Sequence, residues 1–321
     1  MNSLAVIGAG AWGTALAIQA VRAGNAVTLW ARDPARAAAI AKRRENPRLF
    51  GARLPEQIVL TADLGAVGAD LLLVAVPVQH LRAVLARLPA APTVVCAKGV
   101  EAGTLLLPLE IVAERHPPRP AAVLTGPNFA HEIAAGLPAA AVVAAAEREL
   151  RLHVADRLAT AAFRLYGNND PVGAQIGGAA KNVIAIAAGA VIGAELGENA
   201  RAALVTRGVA EMARLAVALG GWAETVSGLS GLGDLLLTCT GPASRNYSLG
   251  LALGRGERLE DILAARTGIT EGVATAPALV ARADRAGLEL PICAAVAELL
   301  DGRITLEQAM TTLLARPRRD E

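Results

Sequence analysis

Three glycines within six residues constrain this chain more than anything else in it. Gly8, Gly10 and Gly13 follow directly on an apolar run, Leu4 to Ile7, and lead into a helical stretch, about Thr14 to Ala23. A turn at Gly24-Asn25 and a second apolar run, Ala26 to Trp30, complete a strand–helix–strand unit of the usual length, about thirty residues. In such a unit the first glycine permits a tight turn and the second admits backbone N–H groups to a pyrophosphate at the helix N-terminus. The third lets helix and strand pack closely. Residues 1–21 carry no charged side chain, but glycines, Asn2 and Gln19 interrupt them and no Lys or Arg precedes them, so a strand and turn are expected there rather than a leader or a span.

Further short apolar runs follow: "IVLTA" near 58, "DLLLVAVP" near 70, "TVVCAKG" near 93, "AAVLTGP" near 121 and "AAAVVAA" near 139. Runs that are apolar throughout, alternating with alanine-rich helical stretches, indicate a parallel sheet covered on both faces. From about Gly177 the strand-like runs give way to long Ala/Leu/Arg/Glu segments at helical spacing, divided by "GLSGLGD", "GPASRN", "GITEG" and "GLELP". The expected fold is therefore an α/β, Rossmann-type doubly wound sheet followed by an all-α domain. The expected division is a dinucleotide-binding domain at 1–176 and a helical substrate and catalytic domain at 177–321. The terminal "RPRRDE" reads as a solvated tail.

A chain of 321 residues, 54% hydrophobic, can bury a large core. Its formal net charge is only +2 with both signs scattered, which excludes a nucleic-acid footprint and leaves any anionic ligand to local charges. The three cysteines, Cys96, Cys239 and Cys293, stand at unrelated spacings in apolar or mixed stretches, as buried thiols of a reducing, cytoplasmic compartment do. The four histidines show no metal-ligand spacing, so no metal is expected.

Lysine is scarce: of the 31 lysines and arginines together, only Lys42, Lys98 and Lys181 are lysines. Arginine does not deprotonate in proteins, whereas a lysine's pKa falls when it is desolvated or set near another cation. Lys42 sits in a basic turn, "AKRREN". Lys98 follows "TVVCA" at the C-terminal end of a strand, where ligands of doubly wound sheets bind, and Lys181 interrupts the aliphatic run "GGAAKNVIAIAAG". A desolvated lysine in a cleft joining the two halves can take the proton from a secondary hydroxyl as hydride leaves, or return it to a carbonyl. The structural alternative for Lys181 is a snorkelling side chain or a buried ion pair with Asp234 or Glu195.

Other polar groups stand in glycine-rich settings. "LTGPNFAHE" offers a backbone approach at Gly126 and the amide of Asn128, and "SGLSGLGDLLLT" delivers Asp234. "GPASRNYS" places Ser244, Arg245 and Asn246 at a helix start, a combination suited to phosphate, although Ser244 and Asp234 also read as helix caps. At the end of the second strand Arg32 suits the 2′-phosphate of NADP, while Asp33 leaves NAD open.

With these residues in view, the sequence resembles the bacterial-type NAD(P)-dependent glycerol-3-phosphate dehydrogenases. The likeness runs through "GAGAWGTALA", "WARDP", "CAKGVE", "LTGPNFAHEI", "GGAAKNVIAIAAG", "SGLSGLGDLLLTC", "SRNYSLG" and "ITEG". The resemblance implies reversible hydride transfer between sn-glycerol 3-phosphate and dihydroxyacetone phosphate, feeding glycerophospholipid synthesis. It implies Lys181 as proton acceptor and Lys98 as a contact to cofactor and substrate. Ala11, Trp12, Arg32, Asp33, Ala130, Ile269 and Glu271 match cofactor contacts. Gly126, Asn128, Asp234, Ser244, Arg245 and Asn246 match the substrate pocket, with Arg245 also near the cofactor. Two positions depart from the pattern: Asn128 stands where Ser or Thr is common, and Ala180 replaces a bulkier aliphatic.

Two rivals remain at this stage. A β-hydroxyacid dehydrogenase would also pair such domains with a lysine, but with KxxxN spacing, whereas Asn182 is adjacent to Lys181 here. A non-catalytic NAD(P) sensor would leave Lys98, Lys181 and Asp234 without a shared purpose. The apolar helical half also suits a homodimer.

Overall fold

The computed structural model describes residues 3–117, 119–266, 268 and 270–315; the "RPRRDE" tail and Ile269 lie outside the described residues. Met1–Lys98 with Leu106–Gln175 form one compact unit, and Gly99–Leu105 with Ile176–Glu321 form the other.

The first unit is built on eight strands: β1 (Ser3–Ile7), β2 (Ala26–Trp30), β3 (Ile58–Thr61), β4 (Leu71–Val74), β5 (Thr93–Val95), β6 (Ala121–Thr125), β7 (Ala139–Ala144) and β8 (Phe163–Asn168). Between them run α1 (Ala11–Arg22), α2 (Pro34–Arg43), α3 (Val78–Leu85), α4 (Pro108–Arg115), α5 (Ala130–Ala135) and α6 (Arg148–Leu158). The order across the sheet is β3-β2-β1-β4-β5-β6-β7-β8. Leu4, Val6, Leu71 and Leu73 point into the cluster that contains Leu16 and Ile18 of α1, and the intervening Ala5, Ile7, Leu72 and Val74 are also fully buried. Burial of alternate residues on both faces is the reason these strands read as continuous apolar runs.

Three features differ from the sequence reading. β7 runs antiparallel to β6, with Leu124 opposite Val143, in an otherwise parallel sheet. Its connection contains only the six-residue α5, which spans about 9 Å at helical rise and is too short to carry the chain back along a strand. β8 went unread because its sequence, "FRLYGN", is no continuous apolar run: only Phe163 is buried, and Arg164, Tyr166 and Gly167 are exposed at the edge of the sheet. α1 also begins at Ala11, three residues ahead of the expected start, because Gly10 serves as its N-cap.

The second unit is helical: α7 (Pro171–Gly193, beginning in the first unit), α8 (Gly197–Ala218), α9 (Ala223–Ser227), a single π-helical turn (Leu229–Gly233), α10 (Asp234–Cys239), α11 (Arg245–Gly254), α12 (Leu259–Ala264), α13 (Glu271–Arg285), α14 (Pro291–Leu300) and α15 (Leu306–Leu314). By length and composition α7 is apolar enough to cross a membrane, but 89% of its most apolar window is buried inside the structure, as in a core helix. Against it packs α11, and the two backbones touch: a Cβ on Gly189 would lie 2.0 Å from the Tyr247 carbonyl oxygen, and one on Gly250 would lie 1.8 Å from that of Ile186. Only glycine permits this approach, and it fixes the start of α11 against the middle of α7.

Candidate active site

The glycine turn forms as its spacing requires. Gly8 has φ +118°, and a Cβ on Gly13 would sit 1.9 Å from the Gly8 carbonyl oxygen, so α1 folds directly back on the turn. Nothing lies within 4 Å of the corresponding position on Gly10, where the backbone faces open space. In the first turn of α1, beside Ala11, the Trp12 indole Nε1 is buried without a hydrogen-bond partner among the described residues. An open approach to the helix N-terminus and an orphaned donor beside it fit a dinucleotide phosphate.

β1, β4, β5 and β6 are adjacent and parallel, so their C-terminal ends share one edge of the sheet. Along that edge lie the glycine turn, Lys98 and Gly126. Lys98 Nζ is half-buried and donates to the Gly126 carbonyl at 3.2 Å. Asn128 Nδ2 donates to the Ala140 carbonyl at 3.1 Å, while its Oδ1 is buried without a partner among the described residues. The residue that departs from the family pattern thus keeps one acceptor in reserve. Ala130 opens α5. Arg32 is exposed, and Asp33 caps α2, its Oδ1 accepting from Ala35 N at 2.9 Å and Arg36 N at 3.3 Å.

In the helical unit Lys181 is only 8% exposed, and the ion pair that its sequence context left as one alternative is present. Its Nζ lies 2.5 Å from Asp234 Oδ1 and 3.0 Å from Thr238 Oγ1. Asp234, 1% exposed, enters α10 directly from the π-helical turn, and Thr238 follows one helical turn later. The Thr238 hydroxyl donates to the Asp234 carbonyl at 2.5 Å, so its oxygen is left to accept from the lysine. Carboxylate and hydroxyl together hold the amine in one position. The α7 residue next in line, Asn182, accepts from Asn246 Nδ2 at 2.9 Å, and Asn246 Oδ1 accepts from Gly272 N at 3.0 Å. Asn246 therefore ties α11 and the start of α13, with Glu271 as its first residue, to the lysine helix. Glu195, the other partner considered for Lys181, is exposed.

Ser244 caps α11 by accepting from Tyr247 N at 3.2 Å, and Arg245 beside it is exposed. Arg266, which the sequence did not single out, donates to the Arg245 carbonyl at 2.7 Å and to Ser248 Oγ at 3.1 Å. Burial, and then the Arg245 charge, lower its pKa. Two guanidinium groups at a helix start favour a doubly charged oxyanion. Thr238 stands within the run "SGLSGLGDLLLTC" but was not singled out there, where only Asp234 drew notice, and Arg266 lies in none of the motifs.

All three cysteines are buried and unpaired, and burial pushes the Cys96 and Cys293 thiols far up and Cys239 to about 12. Such thiols are not nucleophiles. No group of three or more His, Cys, Asp and Glu side chains among the described residues is placed to hold a metal ion.

Comparison with known proteins bears on this geometry. Residues 3–151 match the model of the NAD-dependent glycerol-3-phosphate dehydrogenase N-terminus, and residues 170–311 match that of the C-terminus. The glycerol-3-phosphate dehydrogenase (NAD(P)+) of Acidiphilium cryptum is 60% identical over 99% of this chain and 98% of its own. That of Gluconobacter oxydans is 52% identical over 98% and 97%. Among solved structures, glycerol-3-phosphate dehydrogenase from Coxiella burnetii superposes with a TM-score of 0.94 at 37% identity, covering 98% of this chain and 99% of that one. The chain belongs to the NAD-dependent glycerol-3-phosphate dehydrogenase family.

Proposed function

We infer that the chain catalyses reversible hydride transfer between sn-glycerol 3-phosphate and dihydroxyacetone phosphate. The observation that carries this reading is the buried Lys181 amine held between Asp234 and Thr238 in a chain of this family. The first unit would bind the cofactor through the Gly8–Gly13 turn, Ala11, Trp12, Arg32, Lys98 and Ala130, with Arg245 and Glu271 contributing from the helical unit. When bound, the nicotinamide supplies or takes the hydride. Lys181 Nζ gives its proton to the carbonyl oxygen during reduction and takes it back from the hydroxyl during oxidation. Asp234 keeps the ammonium in place and balances its charge. Arg245, supported by Arg266, receives the phosphate, with the Ser244 and Asn246 segment positioning it. Lys98 and the backbone at Gly126 hold the rest of the substrate, and Asn128 offers its unpartnered Oδ1 to a hydroxyl.

This activity would place the protein in the cytoplasm at the entry to glycerophospholipid synthesis, in keeping with its three unpaired, buried thiols. A homodimer through the helical unit accords with exposed Val217, Trp222 and Leu236. It also accords with a groove of about 1000 Å³ along α8 and α10, lined in part by Ala202, Val205, Val209 and Leu236, that neither Lys181 nor Asp234 lines.

The test is a spectrophotometric assay of NADPH and NADH oxidation with dihydroxyacetone phosphate. Turnover is expected with that substrate and not with β-hydroxyacids or their oxidised forms. Cofactor binding without turnover would instead identify a sensor.

A further inference from the structure

The glycine turn has a neighbour that its own motif does not disclose. Beyond α2 the chain returns to place Asn46, 1% exposed, against the turn. Asn46 Nδ2 donates to the Ala9 carbonyl at 3.1 Å and to Thr14 Oγ1 at 2.6 Å. Its Oδ1 accepts from Arg48 N at 3.1 Å and from the Arg36 guanidinium at 3.2 Å, and Arg36 also donates to the Ala9 carbonyl. The start of the loop after α2 is thus clamped to the turn that would hold the pyrophosphate. From this loop Arg48 and Phe50 stand exposed, Phe50 almost wholly so at 96%.

The acidic candidate on the other side of α2 has one oxygen committed elsewhere. A carboxylate that selects NAD presents its oxygens to the ribose hydroxyls, whereas Asp33 commits Oδ1 to two backbone N–H groups of α2. Around this cap the local charge is cationic: Arg32 precedes it, Arg36 follows it, and Arg48 stands close enough to depress the Arg36 pKa, after burial and against Asp33. Guanidinium groups gathered in this way repel one another until an anion enters between them, and a phosphate dianion matches their planar forks.

We propose that Arg48 joins Arg32 in binding the 2′-phosphate of the adenosine ribose, making the chain selective for NADP(H) over NAD(H). The inference rests on the reading of the Gly8–Gly13 turn as the dinucleotide site. It follows from where Asn46 anchors the loop and from the capping role of Asp33.

The measurement is the ratio of kcat/KM with NADPH to kcat/KM with NADH. It is read for the unsubstituted chain and for Arg48→Ala, Arg48→Glu and Arg48→Lys, with inhibition by 2′,5′-ADP relative to 5′-AMP as a second readout. The unsubstituted chain is expected to favour NADPH and 2′,5′-ADP. Arg48→Ala should lower the ratio about 10-fold, Arg48→Glu more, and Arg48→Lys should retain part of it. A ratio unmoved by Arg48→Glu, or two kcat/KM values that fall together, would overturn the inference and leave the dinucleotide reading intact. An unsubstituted chain that oxidises and binds neither nucleotide would overturn both.

Discussion

Lys98 and Lys181 look alike in sequence, each a rare lysine in an apolar setting, but the structure gives them different company. Lys98 is half-buried at the C-terminal edge of the sheet, and a backbone carbonyl accepts one of its protons. Lys181 is almost wholly buried, and a carboxylate and a hydroxyl hold it. A backbone carbonyl orients an amine, and a buried carboxylate also offsets the cost of burying its charge. Lys98 thus stands half-buried at the edge of the sheet, and Lys181 is fixed deep inside the helical unit.

Substitutions can break this contrast or sharpen it. The largest effect is expected at Lys181. Lys181→Ala should retain cofactor binding but lose kcat by about 100-fold or more, and Lys181→Arg, which keeps the charge but cannot release a proton, should be nearly inactive. Stopped-flow turnover with nucleotide-binding titrations would check this, and full activity in either variant would end the assignment. Asp234→Asn should come next, with kcat down by about 10-fold to 100-fold, because the amine loses the group that fixes it. Removing one partner of a buried ion pair also costs about 3 to 5 kcal/mol of stability, so its denaturation midpoint should fall as well.

Arg245→Ala should act on KM for the phosphorylated substrate, raising it about 10-fold to 100-fold with a smaller change in kcat. An unchanged KM would move the phosphate elsewhere. Lys98→Ala is expected to raise KM by about 10-fold and to spare kcat more than any Lys181 variant does. A kcat loss equal to that of Lys181→Ala would erase the distinction between the two lysines.

The smallest effect concerns a buried carboxylate without a lysine. Glu211 in α8 accepts from Ile292 N at 2.7 Å and Cys293 N at 3.3 Å, at the start of α14. Burial raises its pKa above the ordinary 4.5, against the lowering effect of those two N–H groups and Arg214. The folded state thus favours the protonated form, and this contribution to stability is present below pH 4.5 and lost as the pH rises through the raised value. Thermal melts across that range should show a shallower decline for Glu211→Gln than for the unsubstituted chain. Identical slopes would mean that the helix N-terminus fully compensates the burial.

Much of this molecule was legible before its structure. The Gly8–Gly13 turn could be read because its contacts fall within one strand–helix junction, so spacing alone specifies them. The helical nature of the second unit and the marked position of Lys181 were equally plain. The antiparallel β7 was not, since strand direction depends on how far a connection reaches and not on the strand's own residues. Asn246 illustrates a different limit. Its motif suggested the substrate pocket, but nothing in it disclosed that Nδ2 donates to Asn182 and Oδ1 accepts from Gly272 N, tying α7, α11 and α13 together.

The amino-acid sequence by itself determined the glycine turn, the layered first unit and the place of the lysine set apart in an aliphatic helix. Only the tertiary structure decided that Asp234 and Thr238, more than fifty residues away along the chain, would hold that lysine. It also decided that Asp33 would cap a helix and that Asn46 would bring Arg48 to the turn. The physical reason is range: backbone sterics and periodicity act between near neighbours and leave a pattern in the sequence. Hydrogen bonds between distant segments exist only once packing has brought their backbones together, as where Gly177 of α7 meets the Ser230 carbonyl just ahead of Asp234.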